Sequence, residues 1–244
     1  MSLALHAAAV TDIGLVRTNN EDSVHAGRRL IAVADGIGGM PAGELASDIV
    51  IKALAPLDRD PALADPVAAL MDAVAAANED IRAACESDES QDGMGTTVTA
   101  MLIAGEQIGL MHVGDSRGYL FRDDTLTQLT KDDTFVQSLV DQGLLTLAEA
   151  RIHPRRSIVT QAIQGSDFQS TTSLLQAKPG DRLLVCSDGL SDALEDEQLW
   201  QVLRSSADPA GCAGHLVAMA LSAGATDNVT VAVADVVVDN GGPG

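Results

Sequence analysis

Apolar residues recur along this chain in two distinct periods. Short apolar runs bounded by Gly, Asp, Asn or Ser predict strands. They fall at residues 3–10 and 23–26 around a polar loop, at Leu30-Ile-Ala-Val-Ala34, then at 96–104, 108–113, 119–122 and 126–129, and later at 171–176, 182–187 and 229–238. Spacings of three and four predict helices. After residue 43, Leu45, Ile49, Ala53, Leu54 and Leu57 share one face. Pro66 suits the first turn of a second helix running to about Glu86, with Leu70, Val74, Ala77 and Ile81 on one stripe. Two more helices are predicted near 196–204 and 209–222. Short turns join the strands between 96 and 129, which predicts an antiparallel meander. Residues 131–166 break the pattern, with helical pieces at 134–145 and 146–152 and the basic stretch His153-Pro-Arg-Arg156, and read as an insertion over a sheet edge. With no repeat and no interdomain linker, a single α+β layered domain over residues 1–244 is expected, ending in a loose tail at 239–244.

Composition narrows the partners. Aromatic residues are 2% of the 244, so the core must be aliphatic, and stacking on nucleic-acid bases is disfavoured. Fifteen Lys and Arg against thirty-five Asp and Glu give a net charge of −20, which repels phosphate backbones and anionic lipid. Neither a nucleic-acid nor a membrane partner is expected. Cys85, Cys186 and Cys212 are far apart and form no CxxC pair, so they read as buried thiols in a reducing compartment. No signal peptide and no membrane-length apolar run is seen, so a cytoplasmic monomer is expected.

The acids point to chemistry. Three predicted strands end alike, in Ala32-Val-Ala-Asp35-Gly, Met111-His-Val-Gly-Asp115-Ser and Leu184-Val-Cys-Ser-Asp188-Gly. Thr226-Asp227-Asn228 precedes a fourth strand, and Asn19-Asn20-Glu21-Asp22 lies in a loop between two others. A single Asp-Gly or Asp-Ser is turn punctuation. Their recurrence at strand tips is different, because an acid there is costly unless paired, hydrated or metal-bound. Arg17 and Arg117 are the local cations, too few to neutralise them all. Oxygen-only donors favour Mg²⁺ or Mn²⁺ and can build a binuclear site, while the lack of an HExxH or Cys/His cluster disfavours zinc.

Six segments carry a resemblance. Arg17-Thr-Asn-Asn-Glu-Asp22, Val33-Ala-Asp-Gly-Ile-Gly-Gly39, Gly95-Thr-Thr97, His112-Val-Gly-Asp-Ser-Arg117, Cys186-Ser-Asp-Gly-Leu190 and Thr226-Asp-Asn-Val-Thr230 resemble, in order, the motifs of the metal-dependent type-2C serine/threonine protein phosphatases, the PPM family. The resemblance spans residues 12 to 235, and the length is similar to that of compact bacterial members. It implies a four-layer α-β-β-α sandwich: two antiparallel sheets flanked by helix pairs, with 131–166 as a flap. It further implies that Asp35 bridges two core Mn²⁺ or Mg²⁺ ions with the Gly36 carbonyl on the first, and that Asp188 and Asp227 ligate the second. Glu21 and Asp22 would hold metal-bound waters, Asp115 with Asp188 a third ion, and Arg17 the substrate phosphate. The implied reaction is attack of a metal-bridging hydroxide on phosphoserine or phosphothreonine. The implied partners are phosphorylated proteins, among them a cognate Ser/Thr kinase and its targets.

One position departs from the pattern. Ile37 stands where eukaryotic relatives often carry a histidine proposed as general acid, and isoleucine donates no proton. His153, titratable and in the flap, is the candidate replacement. His112, Ser116 and Arg117 read as scaffold, and Arg155 and Arg156 as solvated charge or a recruiting site for acidic substrate. Three rivals stand beside this reading. A dinucleotide-binding oxidoreductase fits poorly because Pro41 replaces the third glycine of its turn. A non-catalytic phosphopeptide module would have lost ligand acids, and a small-molecule phosphatase shares the same chemistry.

Overall fold

The third strand, β3 (Leu30–Ile37), shows why the apolar runs here are nearly continuous: both of its faces are buried. Leu30, Ala32 and Ala34 face one cluster, and Ile31 and Val33 face another. The computed structural model describes residues 2–37, 42–60 and 63–239. β3 belongs to a sheet ordered β2 (Asp22–Ala26), β3, β5 (Val98–Ala104), β6 (Gln107–Val113), β9 (Thr171–Gln176), with the short β4 (Gly95–Thr96) also on β3. The facing sheet runs β1 (Leu3–Asp12), β11 (Val229–Val238), β10 (Arg182–Cys186), β7 (Arg117–Arg122), β8 (Thr125–Gln128). Every pairing is antiparallel.

Three apolar layers make four layers of backbone. Between the sheets, Ile31, Val33, Met101 and Leu110 meet Leu5, Leu183, Val185 and Val236. Outside the first sheet, α1 (Ala42–Leu54) and α2 (Pro66–Ser87) lay Val50, Leu54, Leu70, Val74 and Ile81 on Leu30, Leu102 and Met111. Outside the second, α6 (Asp196–Ser205) and α7 (Pro209–Ser222), with the short α5 (Asp188–Ala193), lay Leu199, Val202, Leu216 and Leu190 on Leu184, Val231 and Val233. This is the α-β-β-α sandwich that the resemblance implied. The long helices start where sequence placed them because Asp65 and Asp208 cap them, each just before a proline. No described helix is long and apolar enough to cross a membrane.

The structure departs from the sequence reading in four places. The expected strand 96–104 is broken at Thr97, although its register against β3 continues across the break. The Asp35 N–H bonds to the Thr97 hydroxyl (3.2 Å) rather than to a backbone carbonyl. α5 was not anticipated, since six residues give no periodic pattern. Leu57 lies past the end of α1, in a tight turn at Ala55–Arg59 that Pro56 begins, yet still packs on the core. Asp239, expected in a loose tail, is tied by its N–H to the Ser2 carbonyl (2.9 Å) and by its carboxylate to Arg28 (3.1 Å), while 240–244 lie outside the described residues. The flap carries α3 (Phe135–Asp141) and α4 (Leu147–Arg151), capped by Thr134 and Thr146.

Arg182 ties this frame together. It is buried, forks onto Asp235 on the neighbouring strand (2.6 and 2.9 Å), and donates to the Leu203 and Ser206 carbonyls at the end of α6 (both 2.8 Å). Arg182→Leu should leave a carboxylate and two carbonyls unpaired, and urea unfolding should show a loss of roughly 2–4 kcal/mol.

Candidate active site

Strand ends bring the acids together. Asp22 opens β2 and Asp35 lies near the end of β3, and the two are register partners. Asp188 begins α5 where β10 ends, Asp115 lies in the β6–β7 turn, and Asp227 precedes β11. Close packing fixes these tips. A Cβ on Gly36 would collide with the Gly43 carbonyl and lie 2.7 Å from that of Glu21. Gly14, at φ +76°, and Gly189 press on the loop before β11 from two sides, where a Cβ would collide with the Asp227 and Asn228 carbonyls respectively. Asn228, buried, then staples that loop to the one carrying Arg17. Its Oδ1 accepts from the Glu21 N–H (2.8 Å), and its amide donates to the Ile13 and Asn19 carbonyls (both 2.9 Å).

The carboxylates share one electrostatic field. Withdrawal from water holds Asp35 well above the usual carboxylate range, followed by repulsion from Asp22, Asp188, Asp115 and Asp227. Asp188 is raised in the same way, by burial and then by Asp115, Asp192, Asp227 and Asp22. Burial pushes Asp22 up to about 6 and Asp115 up to about 7. Both Asp22 carboxylate oxygens are buried without a hydrogen-bond partner. Among the described residues, the only ion pair made by any of these five acids is Arg17 Nη2 to Asp227 Oδ2, at 2.7 Å and largely exposed. Arg117 is spent on Asp132 in a fork at 2.9 and 2.7 Å.

Such a field suits hard cations. Orphaned carboxylate oxygens beside like charges need either protons or metal. Among the described residues, no three His, Cys, Asp or Glu side chains already close around a single point. Oxygen-only donors fit hard ions that keep much of their own water, as Mg²⁺ does. Glu21 is buried beside these acids, its Oε1 accepting from Asn19 Nδ2 (2.9 Å).

The flap meets this centre from one side. A cavity of about 400 Å³ lies between Val136, Leu147, Arg151 and Arg156 of the flap and Asp115, Asp188 and Asp192. A second, of about 300 Å³, lies between Arg156, Asp188 and Gly224–Asp227. Arg156, expected as solvated charge, pairs with Asp192 (3.2 Å) and borders both. Arg155 stacks on Phe135 at 4.2 Å. His153 is not brought to the acids: its Nδ1 accepts from the Arg155 N–H (3.1 Å), its ring lies near Phe135, and it lines neither cavity. That placement favours a role in shaping the flap. Asp192 was missed because α5 was; one helical turn from Asp188, it would follow at once from that helix. The glycine turn at 38–41 lies outside the described residues, and the antiparallel pairing of β3 on both sides removes the dinucleotide-binding reading.

Comparison with known proteins agrees with the fold. A family model described as protein phosphatase 2C matches residues 16–222, and the chain belongs to that family. It is 53% identical over 237 residues to the serine/threonine protein phosphatase PstP of Mycobacterium tuberculosis, covering 97% of this chain but 46% of that protein, so the chain spans about half its length. The protein phosphatase PhpP of Streptococcus pneumoniae is 35% identical over 239 residues, covering 94% of this chain and 96% of PhpP. Among solved structures, the catalytic domain of PstP in complex with two manganese ions superposes with a TM-score of 0.92 at 51% identity, covering 97% of this chain and all of that one.

The field has a measurable cost in chelator-treated protein. Carboxyls with raised folded pKa values hold protons that the unfolded chain has released, so stability falls as pH rises from about 4 through the folded values near 6 and 7. Asp35→Asn should therefore raise the stability of the chelated protein at pH 8 by about 1–3 kcal/mol, and the gain should be smaller at pH 5, toward which the raised native carboxyl takes up its proton. Denaturant unfolding at the two pH values checks both points.

Proposed function

We propose that this chain is a divalent-cation-dependent protein serine/threonine phosphatase. The observation that carries the reading is the buried Asp22 carboxylate, without a partner, inside a field of four further acids. Asp35, Asp188 and Asp227, with the Gly36 carbonyl, would hold two Mn²⁺ or Mg²⁺ ions, supported by the two manganese ions of the PstP catalytic domain. Glu21 and Asp22 would hold water on those ions, and Asp115 with Asp188 a third ion. When bound, the cations supply the charge that acidifies a water and offsets the phosphoryl oxygens.

The chain's own residues do the rest. Arg17 stands exposed at the edge of the acids, so its guanidinium can leave Asp227 and fork onto the phosphoryl oxygens of an incoming phosphoserine or phosphothreonine. Gly14, Gly189 and Asn228 hold Asp227 in place for that exchange. The cavity beside the flap reaches Asp115 and Asp188 and offers room for part of the substrate. Ile37, beside Asp35, supplies no proton to the departing alkoxide. The substrates are phosphorylated proteins, a Ser/Thr kinase and its targets among them, met by a monomer in the cytoplasm.

Metal dependence and phosphate capture can be tested separately. Exhaustive chelation should abolish hydrolysis of a phosphothreonine peptide, Mn²⁺ or Mg²⁺ should restore it, and Asp35→Asn should lose at least about 100-fold in kcat while staying folded. A wild-type rate for Asp35→Asn at saturating Mn²⁺ would refute the site. Arg17→Ala should raise KM about tenfold and weaken inhibition by inorganic phosphate, with Arg17→Lys restoring only part because it lacks the planar fork. Unchanged phosphate inhibition would leave Arg17 as a partner of Asp227 alone.

A further inference from the structure

Behind the acids, a single file of buried side chains runs from Asp35 to the root of the flap. Asp35 N–H lies 3.2 Å from Thr97 Oγ1, Thr97 Oγ1 lies 3.1 Å from Ser116 Oγ, and Ser116 Oγ lies 2.8 Å from Thr99 Oγ1. Thr99 Oγ1 is 2.9 Å from His112 Nδ1, and His112 Nε2 is 3.0 Å from the Lys131 carbonyl. Thr97, Thr99, Ser116 and His112 are all buried.

Chemistry at the two ends fixes the direction of every bond. The Lys131 carbonyl only accepts, so the His112 proton is on Nε2. Burial holds the imidazole neutral, so Nδ1 must accept, and the Thr99 hydroxyl donates to it. Thr99 Oγ1 also lies 3.0 Å from the Ser116 carbonyl, so its one proton is shared between that carbonyl and Nδ1, and Ser116 donates to Thr99. Thr97 donates to Ser116, and the Asp35 N–H donates to Thr97. Every donor finds an acceptor.

The flap root is also bolted to the turn that carries Asp115. Three successive residues take part. Lys131 receives His112, Asp132 holds Arg117 in a fork, and Asp133 accepts from the Gly114 N–H (3.0 Å) while its own N–H donates to the Gly114 carbonyl (2.6 Å). Of these three, the His112 bond continues inward to Asp35; at the far end of the flap, Ile163 pairs with Thr96 (2.9 Å both ways), whose hydroxyl donates to the Asp35 carbonyl (2.9 Å).

We propose that His112 is a positioning residue, which fixes the root of the flap in register with Asp35 and so sets the flap for a protein substrate. Its relevance to turnover rests on the proposed phosphatase activity; the mechanical link does not. A histidine that merely fills the core would affect stability without favouring one substrate over another.

His112→Asn keeps an acceptor near Thr99 but cannot reach Lys131, whereas His112→Gln can still donate there. Thr99→Val, nearly the same shape, leaves Nδ1 unpaired and carries the test if His112→Asn does not fold. Two readouts are taken on the Mn²⁺-loaded protein. Hydrogen exchange should rise in residues 131–136 and stay unchanged in α2. The kcat/KM for a phosphothreonine peptide should fall about tenfold or more, while that for p-nitrophenyl phosphate, too small to span the flap, should stay within about twofold. His112→Gln should restore most of the peptide activity. Unchanged exchange at 131–136, or parallel loss on both substrates, would overturn the proposal. A wild-type protein inactive on both substrates would defeat the phosphatase reading instead, and the exchange measurement would then decide the link alone.

Discussion

Like charges held together out of water are the constraint on which the rest of this structure depends. Asp35 and Asp188 repel each other and their neighbours from half-buried positions, and neither buried oxygen of Asp22 makes a well-formed hydrogen bond. Left to itself such a centre would expand until water entered. It does not, because each acid is set on a strand tip whose other residues are locked between apolar layers. β3 is buried on both faces, and β10 and β11 likewise supply residues to two cores. The sandwich stores the repulsion.

Rigid tips alone would not make the centre selective. The bonds around it divide into those that hold backbone and those that remain exchangeable. Asn228 uses its whole amide on backbone groups, and Thr97 replaces a ladder bond with its hydroxyl. Arg17 on Asp227 and Arg156 on Asp192 are exposed pairs, of the kind that contribute little to stability and exchange partners easily. The fixed bonds lie below the acids and the loose ones face the cavities.

Much of this was legible in the sequence, for physical reasons that also account for what was not. Asp35, Asp115, Asp188 and Asp227 stand out because a carboxylate at the end of an apolar run is costly without a counter-charge, and the glycine, serine or asparagine beside it supplies none. The long helices stand out because Asp65 and Asp208 cap them. α5 has no period to detect, and Asp192 was lost with it. The partner of Arg17 lies 210 residues away, and the Asp35–Thr97 bond depends on the register of β3 against β5; neither is local information. His153 was chosen because it is titratable and lies in the flap; which way the flap turns it depends on tertiary packing with Phe135 and Arg155.

The pairing of β1 with β11 has a consequence for how the site comes into being. These strands lie at opposite ends of the described chain and pair along their whole length, from Leu3 with Val238 to Asp12 with Val229. Their contact closes a very long loop, which makes this step slow and late in folding. Arg17 emerges from the ribosome 210 residues before Asp227. No nascent chain can therefore assemble the acid centre piecemeal, and a ribosome-bound chain that has not yet made β11 carries no complete cluster of acids.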